Sequence, residues 1–471
     1  MEYCPVRSLR QSIWEADVTK ASVLQERLLN TSTPLEQLRA LRQQRAELLG
    51  YKTYVHLSLE TKMAESIENI YHTFDILLGT ARPAQEYELM QLNSFANENG
   101  FAGTLQFWDI PFWSRKQLFS IHKYKEGDFK QYFPLPKVLS GTFELIERLF
   151  NVKIVESENL HVWHNDVHFF DVFDLNESSN EPVGSFYLDP YARNNEKVKV
   201  PNDSGHIVPI NSRSKVSKTK PLVALLFNFQ PPTEGKPSLL YFKDVKAIFQ
   251  KFGRMLQHIL TKVDYAELSG LTNVEWDAAY ISDHFFENWL YEPSILHQIS
   301  SHYDTKESLS AEMIKTLKDT KLQLAGFNLC KELYLSRFDL ELHFCDKFWG
   351  VIMNRLWNKH FIMPQHKLDS HICSFESIFS GNFGAAYYSH IWSQMLAADL
   401  YSIFKEISVK NSTRDAMREI GDRYYATFLS VGGSQPMSET FRKFTGRDPN
   451  PIALLLNLEL DDKSTIVKSR I

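Results

Sequence analysis

Two hydrophobic periods divide the chain. Over residues 8–150 apolar positions recur at helical spacing. In Leu35 to Gly50, after Pro34, they fall at Leu38, Leu41, Ala46, Leu48 and Leu49, and Gly50 supplies a residue suited to closing the helix. Ala64 to Leu78 and Ala84 to Asn99 repeat the pattern, while Pro111, Pro134 and Pro136 punctuate it. The period then shortens. Val152 to Val155, Phe169 to Phe173, Gly184 to Leu188 and Leu222 to Phe229 read as strands between Asn-, Asp- and Gly-rich turns. They predict a small antiparallel sheet over 151–235. The polar stretch Asn194 to Lys220, with Pro201, Gly205 and Pro209, reads as a surface loop inside it. Helical spacing returns at Lys243, where Val245, Ile248, Phe249, Phe252, Leu256, Ile259 and Leu260 form one core-facing stripe. The expected fold is mainly α with a small antiparallel sheet, in segments 8–150, 151–235 and 236–458.

Composition narrows the function classes. The 471 residues are 43% hydrophobic and 23% charged, which is globular. A net charge of −5 leaves no basic footprint for nucleic acid. The longest apolar runs, such as Leu222 to Phe229, are too short to cross a bilayer. Met1 to Arg7 has no apolar core of a secretory signal. Cys4, Cys330, Cys345 and Cys373 form no CxxC pair, so they read as reduced thiols rather than a zinc site. A cytoplasmic location is expected, with a mitochondrial one as the alternative.

Candidate chemistry centres on Phe249-Gln250-Lys251-Phe252-Gly253-Arg254, within a helix predicted over 243–261. Pro237-Ser238-Leu239-Leu240 leads into that helix, and Trp276-Asp277 and Glu287-Asn288-Trp289 come after it. This block resembles the thimet oligopeptidase and oligopeptidase A family of zinc metallopeptidases. Other blocks carry the same likeness in the family's order. They include Ala46-Glu47-Leu48-Leu49-Gly50, Leu59-Glu60-Thr61-Lys62-Met63-Ala64, Val162-Trp163-His164-Asn165-Asp166-Val167, Gly184 to Arg193, Gly381 to Ser389 and Phe441 to Arg447. The resemblance implies a two-lobed helical body with a deep channel that admits short peptides. The chain begins well inside the family's usual length. A shortened product or a more open channel is therefore expected, as is association with a full-length paralogue.

The resemblance also implies where catalysis would reside. The family's motif there is F-H-E-F-G-H, in which His-Glu-x-x-His sets two imidazoles one helical turn apart beside a carboxylate. The two histidine ligands fall at Gln250 and Arg254, and the third ligand, a glutamate, falls at Tyr280. The general base falls at Lys251, whose ammonium cannot take a proton from water. Arg254 has no lone pair to give a metal. The family's oxyanion-side positions fall at Ser377, Phe383, Tyr387 and His390, of which only Tyr387 keeps the family residue. No intact catalytic or metal set is expected, and no cofactor, although active members of the family hold zinc. Lys251 and Arg254 are expected to neutralise carboxylates once neutralised by zinc, with Asp277 and Glu275 as the partners in view.

Histidines elsewhere read as structural. His164 and His168, with His161 close by, lie in a stretch read as strand from Val162 to Phe170, so i, i+4 spacing does not bring the pair to one helical face. His258 lacks a partner at ligand spacing. His284 and His390 offer a weaker route to a replacement metal centre. The favoured function is an inactive pseudopeptidase that binds short peptides or a protein partner. Arg254, Tyr387, Leu225 and Phe227 are the candidate peptide contacts, the last two on a strand whose edge the family offers to extended peptides. The alternative is a working zinc metalloendopeptidase that cleaves short peptides.

Overall fold

The computed structural model describes residues 1–157, 161–193, 196–197, 205–233, 235–410 and 414–460. Four helices and five strands position the candidate residues. In chain order they are α1 (Ile67–Glu98), β1 (Val152–Glu156), β2 (His168–Asp174), β3 (Gly184–Tyr191), β4 (His206–Asn211), β5 (Leu222–Phe229), α2 (Phe242–Ile259), α3 (Ile281–Trp289) and α4 (Ala325–Phe344). Helix dominates and the sheet is small, as the two periods predict.

The sheet is mixed rather than wholly antiparallel. Its order is β1-β2-β3-β5-β4. β1–β2, β2–β3 and β4–β5 pair antiparallel, and β3–β5 pair parallel. β4 folds back on β5, so β5 runs in the same direction as β3 and inserts beside it. β4 lies within the stretch read as loop. Five of its six residues are exposed, so no in–out alternation marks it, and its Pro209 is tolerated because the strand is terminal in the sheet. The residues of that stretch at 194–195 and 198–204 lie outside the described ones.

This order corrects the reading of β5 as a peptide-accepting edge. Leu222 to Leu226 are matched to β3 on one side and β4 on the other. Leu225 and Phe227 are fully buried, and the Phe227 ring stacks on Phe229 at 4.7 Å. Neither side chain can meet a peptide. The strand read from Val162 begins only at His168, and Val162 to Val167 form bends and a turn.

The two helical stretches on either side of Pro83 are one 32-residue helix, α1, with Pro83 inside it. Packing overrides the local cost of proline here. α1 lies against α4 so closely that a Cβ on Gly326 would sit 2.8 Å from Ala84 Cβ.

The chain forms two compact units that do not follow the three sequence segments. The first joins Met1–Tyr124, Asp319–Trp392 and the C-terminal stretch from Pro451. Its core packs Leu89, Leu92 and Ala96 of α1 with Tyr334, Phe338 and Leu342 of α4. The second joins Lys125–Lys318 with Ser393–Asn450 and contains the sheet, α2 and α3. There Val245, Ile248, Phe249, Phe252 and Ile259 of α2 are buried, as their stripe predicts. The Phe252 ring meets Phe186 of β3 edge-on at 5.7 Å. Asp244 caps α2 by accepting from the Tyr241 N–H at 3.1 Å.

Candidate functional site: a charged pair of helices in the second unit

α2 and α3 pack at close range because Gly253 has no side chain. A Cβ there would lie 2.2 Å from the Ser282 carbonyl oxygen and 2.8 Å from Phe286 Cβ. Helical spacing then aligns Lys246, Gln250 and Arg254 along α2. Facing them are Tyr280, at the N-cap of α3, and Asp283, His284 and Glu287 within it.

Three side chains of the two helices converge on Glu287, which is 12% exposed. Gln250 Nε2 donates to Oε2 at 2.8 Å, Lys246 Nζ lies 2.8 Å from Oε1, and His284 Nδ1 lies 3.3 Å from Oε2. Burial alone would raise this carboxyl. Lys246 and His284 outweigh it and hold the group well below the usual carboxylate range. Glu287 therefore stabilises the fold at pH values above its unfolded pKa. That contribution is lost as pH falls through its folded one. Glu287→Gln is expected to cost about 2 kcal/mol near neutrality, in the range of charge-assisted hydrogen bonds. The difference from the unsubstituted chain should shrink below pH of roughly 4, where an unfolded glutamate takes up its proton. Urea unfolding across pH checks this; a pH-independent difference would remove the electrostatic account.

One turn along, Arg254 lies over the Tyr280 ring, its guanidinium carbon 4.8 Å from the centroid. Its Nη1 is 4.0 Å from Asp283 Oδ2, a loose pairing, and its Nε has no hydrogen-bond partner. Asp283 is 3% exposed, and its Oδ1 is also without a partner. Burial raises its carboxyl against the pull of Arg254 and Lys251. Arg254 thus stands beside a carboxylate only at the limit of pairing distance, and that acid is neither of the two expected. Glu275 instead accepts from the Met437 N–H at 2.9 Å, where a helix begins. Asp277 is buried, and its carbonyl accepts from Ser393 Oγ at 2.6 Å. Nearness in sequence favours Asp277 and Glu275, but it is a poor guide to pairing. The facing row of α3, at Asp283, His284 and Glu287 (i, i+1, i+4), is the signal in the sequence that points to the true partners.

The remaining candidate positions lie in the first unit. Phe383, Tyr387 and His390 form an aromatic cluster. Phe383 and His390 stack at 4.6 Å, and Tyr387 meets His390 at 4.9 Å. Ser377 closes the preceding turn, its carbonyl accepting from the Phe383 N–H at 3.2 Å. Tyr387 Oη donates to Glu332 at 3.4 Å, and burial raises its phenol, so it stays a donor. Sequence reading missed what holds this turn. Asp339 is fully buried and accepts from the N–H groups of Ala385, Ala386 and Tyr387, each at 2.9 Å. His343 Nδ1 lies 3.0 Å from Asp339 Oδ1, and its Nε2 takes a hydrogen bond from Arg42 at 2.9 Å. Arg42 also donates to the Ile378 carbonyl at 2.7 Å.

Two further motif blocks are joined through one buried carboxylate. Asp189 is buried and accepts from Trp163 at 3.0 Å and from both terminal nitrogens of Arg193 at 2.8 and 2.7 Å. This joins the block around Trp163 to the one ending at Arg193. His164 serves a turn, its Nδ1 accepting from the Asp166 N–H, and His168 pairs with Glu156 across β1 and β2. His258 is buried with Nε2 2.9 Å from the Asn211 carbonyl oxygen, and burial lowers its pKa.

Comparison with known proteins places this frame. The model of peptidase family M3 matches residues 1–460. The chain belongs to peptidase family M3. It is 35% identical over 97% of its length to oligopeptidase A of Salmonella typhimurium, and 34% identical over 97% to the probable cytosolic oligopeptidase A of Arabidopsis thaliana. It spans 66% and 65% of those two relatives' own lengths. A solved putative oligoendopeptidase F from Bacillus anthracis shares the fold. It has a TM-score of 0.55 and 13% identity, and the match covers 97% of this chain and 66% of that one.

At the four positions where the resemblance puts the family's zinc site, the side chains present do not fit a zinc ion. The Gln250 amide nitrogen is spent on Glu287. Arg254 sets a fixed cation beside Tyr280, and Lys251 adds a second where a base would stand. Among the described residues no group of three or more His, Cys, Asp or Glu is placed to hold a metal. No helix among them is long and apolar enough to cross a membrane.

Proposed function

We propose that this chain is a peptide-binding member of family M3 that does not hydrolyse peptides. The observation that carries the reading is the guanidinium of Arg254 over Tyr280, where an M3 enzyme needs two electron-pair donors. A cation there repels a dication and cannot activate water. It can accept an anion. Arg254 is held by Asp283 only at 4.0 Å and keeps an unpartnered Nε. Lys251, one turn from it, forms no salt bridge among the described residues. These two cations suit a peptide carboxylate, of a short peptide or of a protein partner's tail. Leu225 and Phe227, both buried, contribute no peptide contact. A cytoplasmic setting is part of the proposal, in keeping with the name of the Arabidopsis relative.

The test is a paired measurement on the purified chain. It should contain no stoichiometric zinc and should leave a quenched fluorescent peptide intact with or without added zinc. Short peptides should bind with micromolar affinity, and Arg254→Ala should weaken them by about tenfold, the scale of one charge-assisted contact. Chelator-sensitive cleavage would instead establish the working metalloendopeptidase, and unchanged affinity in Arg254→Ala would remove the carboxylate reading.

A further inference from the structure

The first unit carries an open cavity of about 400 Å³, lined by none of the candidate positions at 250, 251, 254, 280, 377, 383, 387 and 390. Its size falls within the range of small-molecule sites. Aromatic side chains make most of its wall. Phe107 lies 5.1 Å from Trp357, which lies 4.5 Å from Phe361, and Trp14 stacks on Phe107 at 6.4 Å. Such faces accept a flat ring by stacking or edge contact.

Three polar groups on the same wall lack partners. Tyr334 is 1% exposed and its hydroxyl makes no hydrogen bond. A buried hydroxyl left so is unfavourable, and a bound polar atom would offset that. His371 Nδ1 lies 2.7 Å from Asp369 Oδ1, so that nitrogen carries the proton. Nε2 is left as an acceptor with no hydrogen bond in the described structure. Lys331 is exposed on α4, lines the cavity and forms no salt bridge among the described residues. The lining acids are already committed, Asp369 to His371 and Asp17 to Lys20. Lys331 is therefore an uncommitted positive charge on the wall.

We infer that this cavity binds a small aromatic carboxylate, with its ring among Trp14, Phe107, Trp357 and Phe361, its carboxylate on Lys331, and a ring N–H or polar edge toward His371 and Tyr334. A neutral ring would gain the wall contacts alone. A cationic one would meet Lys331 and be repelled. The proposal goes beyond peptide binding at Arg254 and uses none of its residues.

Titration calorimetry on the full chain tests it, supported by the fluorescence of Trp14 and Trp357. The probes are indole-3-acetate, indole and tryptamine. Indole-3-acetate should bind saturably at one site, indole about tenfold more weakly, and tryptamine more weakly still. Lys331→Ala, at an exposed position that leaves folding intact, should erase the preference for the acid over indole. Tyr334→Phe keeps the ring and should weaken indole-3-acetate severalfold. Absence of saturable binding would overturn the proposal. So would equal binding of tryptamine, or an undiminished preference for the acid in Lys331→Ala.

Discussion

Asp339→Ala is expected to cost about 4 kcal/mol of stability and to shift the urea midpoint of the first unit accordingly. One carboxylate, fully buried, takes hydrogen bonds from three consecutive backbone N–H groups at 2.9 Å. Removing it strands the N–H groups of Ala385 and Tyr387, while that of Ala386 keeps the Phe383 carbonyl at 2.9 Å. Each stranded donor costs about 1–3 kcal/mol, less than additively once the turn relaxes. The turn cannot hold itself, because Ala385 sits at φ 53°, a left-handed conformation that costs a non-glycine residue roughly 1–2 kcal/mol. His343 and Arg42 would lose their anchor as well, loosening the Ile378 carbonyl that Arg42 grips. Asp339→Asn keeps the shape and one acceptor oxygen, so about half the loss is expected. A midpoint for Asp339→Ala equal to that of the unsubstituted chain would show that water or a rearranged turn replaces the carboxylate.

Placing the family's residues at the four positions together should give a helix pair that holds zinc. The variant is Gln250→His, Lys251→Glu, Arg254→His and Tyr280→Glu. Positions 250 and 254 are one turn apart on α2, as two imidazole ligands require. Position 280 adjoins them, since its present ring is 4.8 Å from the Arg254 guanidinium carbon. Glu287 already accepts a hydrogen bond from the side chain at 250. An imidazole there would donate to the same carboxylate, the arrangement that orients histidine ligands. The variant is expected to retain about one zinc per chain through dialysis, and a thermal shift on adding zinc that the unsubstituted chain lacks. A folded variant that retains no zinc would show that α2 and α3 have drifted from metal-binding geometry, beyond the loss of ligands. Cleavage by the variant is a separate question, because Ser377, Phe383 and His390 remain altered.

Much of this molecule is legible in the sequence. The apolar stripe of α2 is buried where its 3.6-residue period puts it, and four of the five strands lie where the shorter period places them. Both periods report a local property, the face each element turns inward. Positions 250, 251 and 254 share one helix as their spacing predicts, because that spacing is local too.

What escaped the sequence depends on neighbours far along the chain. β4 carries no alternation, since an edge strand exposed on most positions has no buried face to mark, and its pairing alone makes β5 interior. That pairing withdraws Leu225 and Phe227 from peptide contact. Pro83 breaks helices in isolation, yet α1 runs through it because close packing on α4 outweighs one missing hydrogen bond. Asp283 and Glu287 became the partners of Arg254 and Gln250 because Gly253 lets α2 and α3 approach. The chain alone specified which side chains are charged and which faces are apolar. Which charges meet was decided by helix packing, because pairing energies fall off over a few ångströms and those distances exist only once the elements are assembled.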